Sequence, residues 1–303
     1  MPTNNFIVST LPDYVANNRE VLLKNFGLLG NGTRSRIGLQ TGIKKQAELN
    51  FLEIAPVLQD GANCEPEPQG SATLTDRIIN VKWIETYFTI CPKKLIGKWA
   101  EYLVRANANA ENLPFEQYIV DGLMNSINEK IENLIWQGDT TSTDADLKWI
   151  DGFAKVIETD GVQATVTGAT VLAKLQSLYA SIPAEALKRG AEIYVSPAKY
   201  RAFLMDLVNA NLFHYPSADS GTFPKEFFLP GADVKVVMTD GLGTSAKAYA
   251  TFPANLVYGT DMENDEEDVK IKYDDIKEIF HVKALWASGV QVAFPGLAVY
   301  ATI

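Results

Sequence analysis

The period of the apolar residues changes several times along the chain, and each change marks an element. The clearest stretch runs from Pro114 to Gln137, where Phe115, Ile119, Leu123, Ile127, Ile131 and Ile135 recur every four residues. That spacing puts one apolar stripe on one helix. Proline at the first helical position and Gly138 beyond the last are favourable start and stop signals. Such a helix would be a rod of about 36 Å. Upstream, residues 46–59 and 73–90 are rich in strand formers: Leu49, Phe51, Ile54 and Val57, then Ile78, Ile79, Val81, Trp83, Ile84, Tyr87, Phe88 and Ile90. A tip of Gly, Asn, Pro and Ser separates them, and the pattern predicts one long hairpin over residues 46–90. Its second strand would extend about 60 Å, beyond an ordinary strand. Neither face of that strand is consistently polar, and an isolated two-stranded ribbon is marginal in water. The ribbon therefore needs a surface to lie on, and its length favours a neighbouring subunit.

The second half mixes the two periods. Helices are expected over Thr170–Ile182 and from the Ser196-Pro197 start to Asn209. Strands are expected at Ala191–Val195, Val234–Met238, Ala246–Phe252, Leu256–Gly259, Val269–Tyr273 and Ile279–Ala287, with two more before the end. Two short helices, Val15–Phe26 and Lys93–Ala106, flank the hairpin. Residues 1–45 are otherwise broken by Gly27, Gly30, Gly32, Gly38 and Gly42. The fold class is α+β.

Charge divides the chain unevenly. The net charge of −10 over 303 residues separates into +3 for residues 1–50, with six basic and three acidic groups, and −13 for the rest. A body this acidic is poorly suited to gripping a polyanion over its whole surface. Two cysteines, Cys64 and Cys91, are too few for a disulfide framework, and residues 1–10 show no signal-peptide pattern, so an intracellular chain is expected. Residues 284–303 carry no charge, but Ser288, Gly289, Gln291 and Pro295-Gly296 interrupt them. Two buried strands around a turn fit that stretch better than a membrane span.

Candidate chemistry is sparse. The only histidines are His214 and His281, and no His or Cys pair has ligand spacing. Gly30-Asn31-Gly32 lacks the strand and further glycine of a dinucleotide loop and the Gly-Lys-Ser/Thr of a phosphate loop. No cofactor or catalytic residue is assigned; a Cys-dependent intracellular hydrolase is the alternative from a different class. The acidic run from Asp261 to Asp268 fails the EF-hand pattern, with Glu266 where glycine is required and Lys272 where the bidentate Glu belongs. It reads as a solvated loop, in which Asp261, Glu263 and Asp265 are the candidates for a weak cation site. Trp83, Tyr87 and Phe88, with Glu65 and Glu67 at the tip, are the candidate subunit-interface residues.

Several local sequences then align with a known series. Gln137-Gly138-Asp139 after the long helix, followed by Trp149-Ile150-Asp151-Gly152-Phe153, resembles a helix end, a "GD" turn and a following "G-I/F". Ile193-Tyr194-Val195-Ser196-Pro197, Leu229-Pro230-Gly231-Ala232-Asp233-Val234 and Gly289-Val290-Gln291-Val292-Ala293-Phe294-Pro295 resemble an axial strand with its helix start, a turn and a closing strand pair. In that order they resemble the major capsid proteins of tailed phages, whose Hong-Kong-type fold encapsulins share. The resemblance implies an N-terminal arm (1–45), an extended loop (46–90), a peripheral domain with a spine helix (91–150), an axial domain (151–252) and strands returning to the peripheral domain (253–303). It implies a structural, non-enzymatic shell protein that forms hexamers and pentamers in a virion. Assembly would take place in the bacterial host cytoplasm, with packaged double-stranded DNA held without sequence-specific contacts. A separate scaffolding protein and a portal are further implied partners; an encapsulin-like compartment around a cargo enzyme is the alternative. Some members cross-link a loop Lys to a peripheral Asn. The tip between Asp60 and Thr73 has no Lys, and no Asn follows Asn264, so no such cross-link is expected here.

Overall fold

The computed structural model describes residues 32–58, 70–91, 115–212, 225–261 and 268–303, apart from 275 and 278. The expected helices Val15–Phe26 and Lys93–Ala106 lie outside the described residues. The long helix is present as α1, Phe115–Gln137, with the expected first residue, Pro114, outside the described residues. Its apolar stripe is buried as expected at Ile127, Ile131 and Ile135, joined by Leu134 and Trp136.

Trp136 lies where the parts of the molecule meet. Its ring packs edge-on against Phe153 at 5.5 Å and at a tilt against Tyr194 at 5.3 Å and Tyr249 at 5.9 Å. Phe153 opens α2, Phe153–Asp160. Tyr194 belongs to β6, Glu192–Val195, and Tyr249 to β9, Lys247–Thr251. One indole therefore ties the spine helix to a second layer. Burying an aromatic of this size stabilises by several kcal/mol, on the order of the ~3–5 kcal/mol lost on truncating one to alanine.

Two sheets flank this contact. The first has five strands: β1 (Gly38–Gln40), β4 (Lys82–Ile90), β10 (Leu256–Gly259), β11 (Asp268–Asp274) and β12 (Ile279–Val292). β12 is its centre, antiparallel to β10, β11 and β4. The second has six strands in the order β5-β13-β9-β6-β8-β7, where β5 is Val162–Gln163, β7 Glu226–Phe228, β8 Lys235–Met238 and β13 Val299–Thr302. Helices α3 (Val171–Ala180) and α5 (Pro197–Asn209) pack on this sheet through Leu175, Leu178, Phe203 and Leu207, all fully buried. A short α4, Ala184–Lys188, lies between α3 and β6. The Ser196-Pro197 start and the Asn209 end of α5 are those the sequence predicts.

Three expectations are corrected. Residues 279–292 form a single 14-residue strand, so one further strand rather than two precedes the end. That last strand, β13, pairs with β5 and β9, so the return segment finishes in the second sheet and not beside β12. Pro295-Gly296 turns the chain between them.

The largest correction concerns the hairpin. β2 (Gln46–Pro56) and β3 (Gly70–Asn80) pair antiparallel without a bulge, from Gln46↔Asn80 to Pro56↔Gly70. The strand-forming run nevertheless stops at Val81, whose N–H donates to the Lys45 carbonyl at 2.9 Å. Beyond it β4 changes partner and pairs with β12 from Ser288↔Lys82 to Phe280↔Ile90. Val81, Ile79, Ile43 and Ala287 form a small core at this junction. Gly289 permits it, because a Cβ there would overlap the Asn80 carbonyl oxygen. The ribbon thus ends at residue 80 and is about 36 Å long.

Candidate functional site

The ribbon β2–β3 forms a sheet of its own, with no third strand among the described residues. Its base is clamped to the body. The Arg77 guanidinium donates to Asp160 Oδ2 at 2.5 Å and to Gln291 Oε1 at 3.1 Å, and Gln291 Nε2 donates to the Ile78 carbonyl at 2.8 Å. At the far end the chain leaves β2 through Val57, 51% exposed, and Leu58, 97% exposed. A cleft of about 420 Å³ opens beside the base, lined by Lys45, Ile78, Asn80, Val81 and Lys82 of the ribbon junction and by Thr140, Ile150, Asp151, Val156, Val290 and Gln291 of the body.

The wall of that cleft is the turn that follows α1. Gly138 and Gly152 face each other there, with Gly152 N–H donating to the Gly138 carbonyl at 2.8 Å. A Cβ on Gly138 would lie 2.5 Å from the Ile150 and Leu134 oxygens, and one on Gly152 would lie 2.6 Å from the Trp136 oxygen, so only glycine fits either position. Lys155 then bridges Asp139 at 2.6 Å and Asp151 at 2.7 Å across the mouth of the turn. Its ammonium, with the Thr141 hydroxyl and N–H, holds the Asp139 carboxyl down at about 2. The same contacts raise the Lys155 ammonium. The "Gly-Asp" motif is therefore a backbone fold locked by one lysine between two carboxylates.

The end of the expected arm is built into the body. β1 pairs parallel with β10, and Thr33 docks on α1. Thr33 donates from its N–H to Glu132 Oε1 at 3.0 Å and from its hydroxyl to the same oxygen, while Trp136 Nε1 donates to Thr33 Oγ1 at 2.6 Å. Burial pushes the Glu132 carboxyl up, against the pull of the Thr33 donors. Arg34 donates to Asn128 Oδ1 at 2.8 Å, and Arg36 pairs with Glu192 of β6 and Glu226 of β7. Residues 33–40 thus cross from the spine helix to both sheets. The sequence signal for this was only a basic, glycine-broken segment, and no local pattern links Thr33 to a glutamate 99 residues away.

The candidate interface residues separate. Trp83, Tyr87 and Phe88 lie on β4 within the body sheet, not on the ribbon. Trp83 is half-buried against the junction core and Phe88 against the main core. Of the three, Tyr87 alone is exposed, at 57%; its hydroxyl meets His281 Nδ1 at 2.6 Å and its ring stacks on that imidazole at 5.9 Å. His281 Nε2 lies 3.6 Å from Asp274. Glu65 and Glu67 fall outside the described residues. So do Glu263 and Asp265 of the candidate cation loop, whose third member, Asp261, is buried. Among the described residues no group of three His, Cys, Asp or Glu is placed to hold a metal, and no helix is long and apolar enough to cross a membrane. Cys91 is a free, half-buried thiol just beyond β4.

No protein-family model matches the chain, and no curated protein matches it significantly in sequence. Solved structures do match it in shape. A chain of the satellite phage P4 procapsid that includes the size-determination protein Sid superposes with a TM-score of 0.63 at 10% identity, over 99% of this chain and 97% of that one. A virus-like particle from Pyrococcus furiosus gives 0.53 at 11% identity, over 95% and 99%. The capsid of an empty GTA particle gives 0.53 at 9% identity, over 90% and 89%. With the spine helix, the separate ribbon and the two sheets in this order, the chain has the Hong-Kong-type fold of the phage capsid shell proteins.

Proposed function

We propose that the chain is the major capsid protein of a tailed phage or prophage, self-assembling through hexamers and pentamers into an icosahedral shell around double-stranded DNA. The observation that carries this reading is the ribbon: about 36 Å of two-stranded sheet projects from a clamped base and has no third strand among the described residues. Such an element is marginal alone, and its unpaired edges are templates for another chain. Laid across a neighbouring subunit, it gains that cover. A net charge of −10 suits a shell that holds DNA by confinement, with the basic residues near the N-terminus as its only strong electrostatic contact. The chain's role is structural. Assembly in the host cytoplasm, a separate scaffolding protein and a portal belong to the same reading.

Electron microscopy of the purified protein tests this directly. Closed shells are expected from the intact chain, and deletion of residues 60–72 should abolish them while leaving a folded subunit of unchanged helix content. Regular shells from the deletion variant would count against the reading. The virus-like particle from Pyrococcus furiosus, similar over nearly its whole length, favours a second reading, a compartment with protein cargo. Nuclease-protected DNA inside native particles supports the phage reading, and a protein cargo supports the compartment.

A further inference from the structure

We propose that Glu132 is a proton-controlled latch: as a neutral acid it holds residues 32–35 on the spine helix, and when it ionises those residues lift away while the body stays folded. Glu132 lies on α1 and is 7% exposed. Its Oε1 accepts from the Thr33 N–H at 3.0 Å and from the Thr33 hydroxyl, whose oxygen accepts in turn from Trp136 Nε1. Oε2 is buried and meets no donor among the described residues. Gly32 covers the carboxyl with backbone: it sits at φ +128°, and a Cβ there would lie 3.1 Å from Glu132 Cδ. An ion sealed in this way has neither water nor a second donor for half its charge. A neutral carboxyl loses much less by burial.

The charges around the carboxyl do not make up for that loss. From the Thr33–Ser35 turn comes Arg34, whose guanidinium donates to Asn128 Oδ1 at 2.8 Å. From the Asp240–Leu242 turn comes Asp240, which opposes a second anion and is paired with Lys225 at 3.2 Å. On α1 itself, Asn128 and Trp136 are uncharged, and Glu129 and Lys130 are exposed. Burial outweighs Arg34 and both Thr33 donors, and pushes the carboxyl up from its ordinary 4.5. An acid raised in the folded state gives stability that is full below its unfolded pKa and lost as pH rises through the folded one. The latch is therefore closed in acid and opens as the pH rises. Its opening stops at Arg36. That guanidinium pairs with Glu192 and Glu226, Ile37 is buried in the main core, and β1 is held by β10. Opening thus adds residues 32–35 to the tether of the segment that precedes them. The inference concerns a single subunit and stands apart from the shell reading.

Hydrogen exchange of the full-length protein across pH tests it, with each rate divided by the intrinsic rate at the same pH. The N–H groups of Thr33, Arg36 and Ile37 report the turn, because the first donates to Glu132 and the other two to the Thr33 carbonyl. Their protection should fall at least tenfold from pH 5 to pH 8, while that of β12 and α5 does not fall. Protection of the turn that is flat with pH, or that falls together with β12, overturns the proposal. Glu132→Gln keeps the acceptor and the shape of the neutral acid but cannot ionise. Its turn should stay as protected at pH 8 as at pH 5; a fall equal to that of the native chain would place the proton elsewhere and overturn the latch. Glu132→Leu removes the acceptor, and its turn should be weakly protected at both pH values. Native-like protection at pH 5 in that variant also overturns the proposal. The native profile needs no substitution, so it decides the matter even where a variant does not fold.

Discussion

Residues 70–80 and 82–90 are one strand-forming run divided by Val81, and they meet opposite fates. β4 enters a five-stranded sheet with an alternating burial pattern, and Ile84 is buried against the body. Among the described residues β3 pairs only with β2, and the body holds it at its base through Arg77, Ile78 and Ile79. The comparison teaches that strand propensity does not decide whether a strand is self-sufficient. β4 gains a core along its length from its own chain, whereas the junction core reaches β3 at its base, through Ile79. Mutations in the two regions should therefore separate folding from assembly.

The largest expected effect lies in the body. Trp136→Ala removes the ring that joins α1 to α2, β6 and β9, and should cost about 3–5 kcal/mol. The denaturant midpoint of the isolated subunit should fall steeply, together with the amide protection of both sheets. If only α1 loosened, the two sheets would be independent domains, and the contrast between body and ribbon would need a third region.

How much of this division the sequence discloses depends on whether the cause is local. The spine helix, the start and end of α5 and the turn at Pro295-Gly296 were legible because a four-residue period, Ser-Pro, Pro-Gly and a terminal glycine act over a few residues. The glycines of the turn after α1 were legible as a motif, although the reason for them, two backbones in contact, appears only in three dimensions. The strand switch at Val81 was not legible. Alternation continues through it, and nothing in a period of two states which strand is the partner. The passage of β13 into the second sheet and the Thr33–Glu132–Trp136 contact were hidden for the same reason, since both depend on residues about 50 to 140 positions apart. Among the interface candidates, Trp83, Tyr87 and Phe88 all fall on β4 and not on the ribbon because of that unseen switch, and the cleft beneath it had no sequence signal.

A smaller effect tests the ribbon side of the comparison. Arg77→Ala removes an ion pair whose partners are 21% and 39% exposed, so screening limits the loss to about 0.5–1 kcal/mol. Hydrogen exchange should accelerate by roughly two- to fivefold in β2 and β3, the equivalent of that energy, with α1 and β12 unchanged. Equal acceleration everywhere would show that the ribbon unfolds only with the body, and the distinction between them would collapse.

The smallest effect belongs to the cleft wall that both regions share. Asp139 is held at about 2 from its ordinary 3.8, chiefly by the Lys155 ammonium. A carboxyl with a depressed folded pKa adds stability that is complete above its unfolded value and lost as pH falls through the folded one. The contribution should therefore be present at pH 5, decline from about pH 4 and vanish near pH 2. Asp151, lowered through the same lysine against the cost of its burial, follows in the same direction. Lys155→Met removes the common partner. The variant should melt slightly below the native subunit at neutral pH, and the two melting curves should converge as the pH is taken from 4 toward 2. A difference that persists unchanged to pH 2 would assign the lysine's role to its packed methylenes, and the turn would then be held by the glycine contact alone.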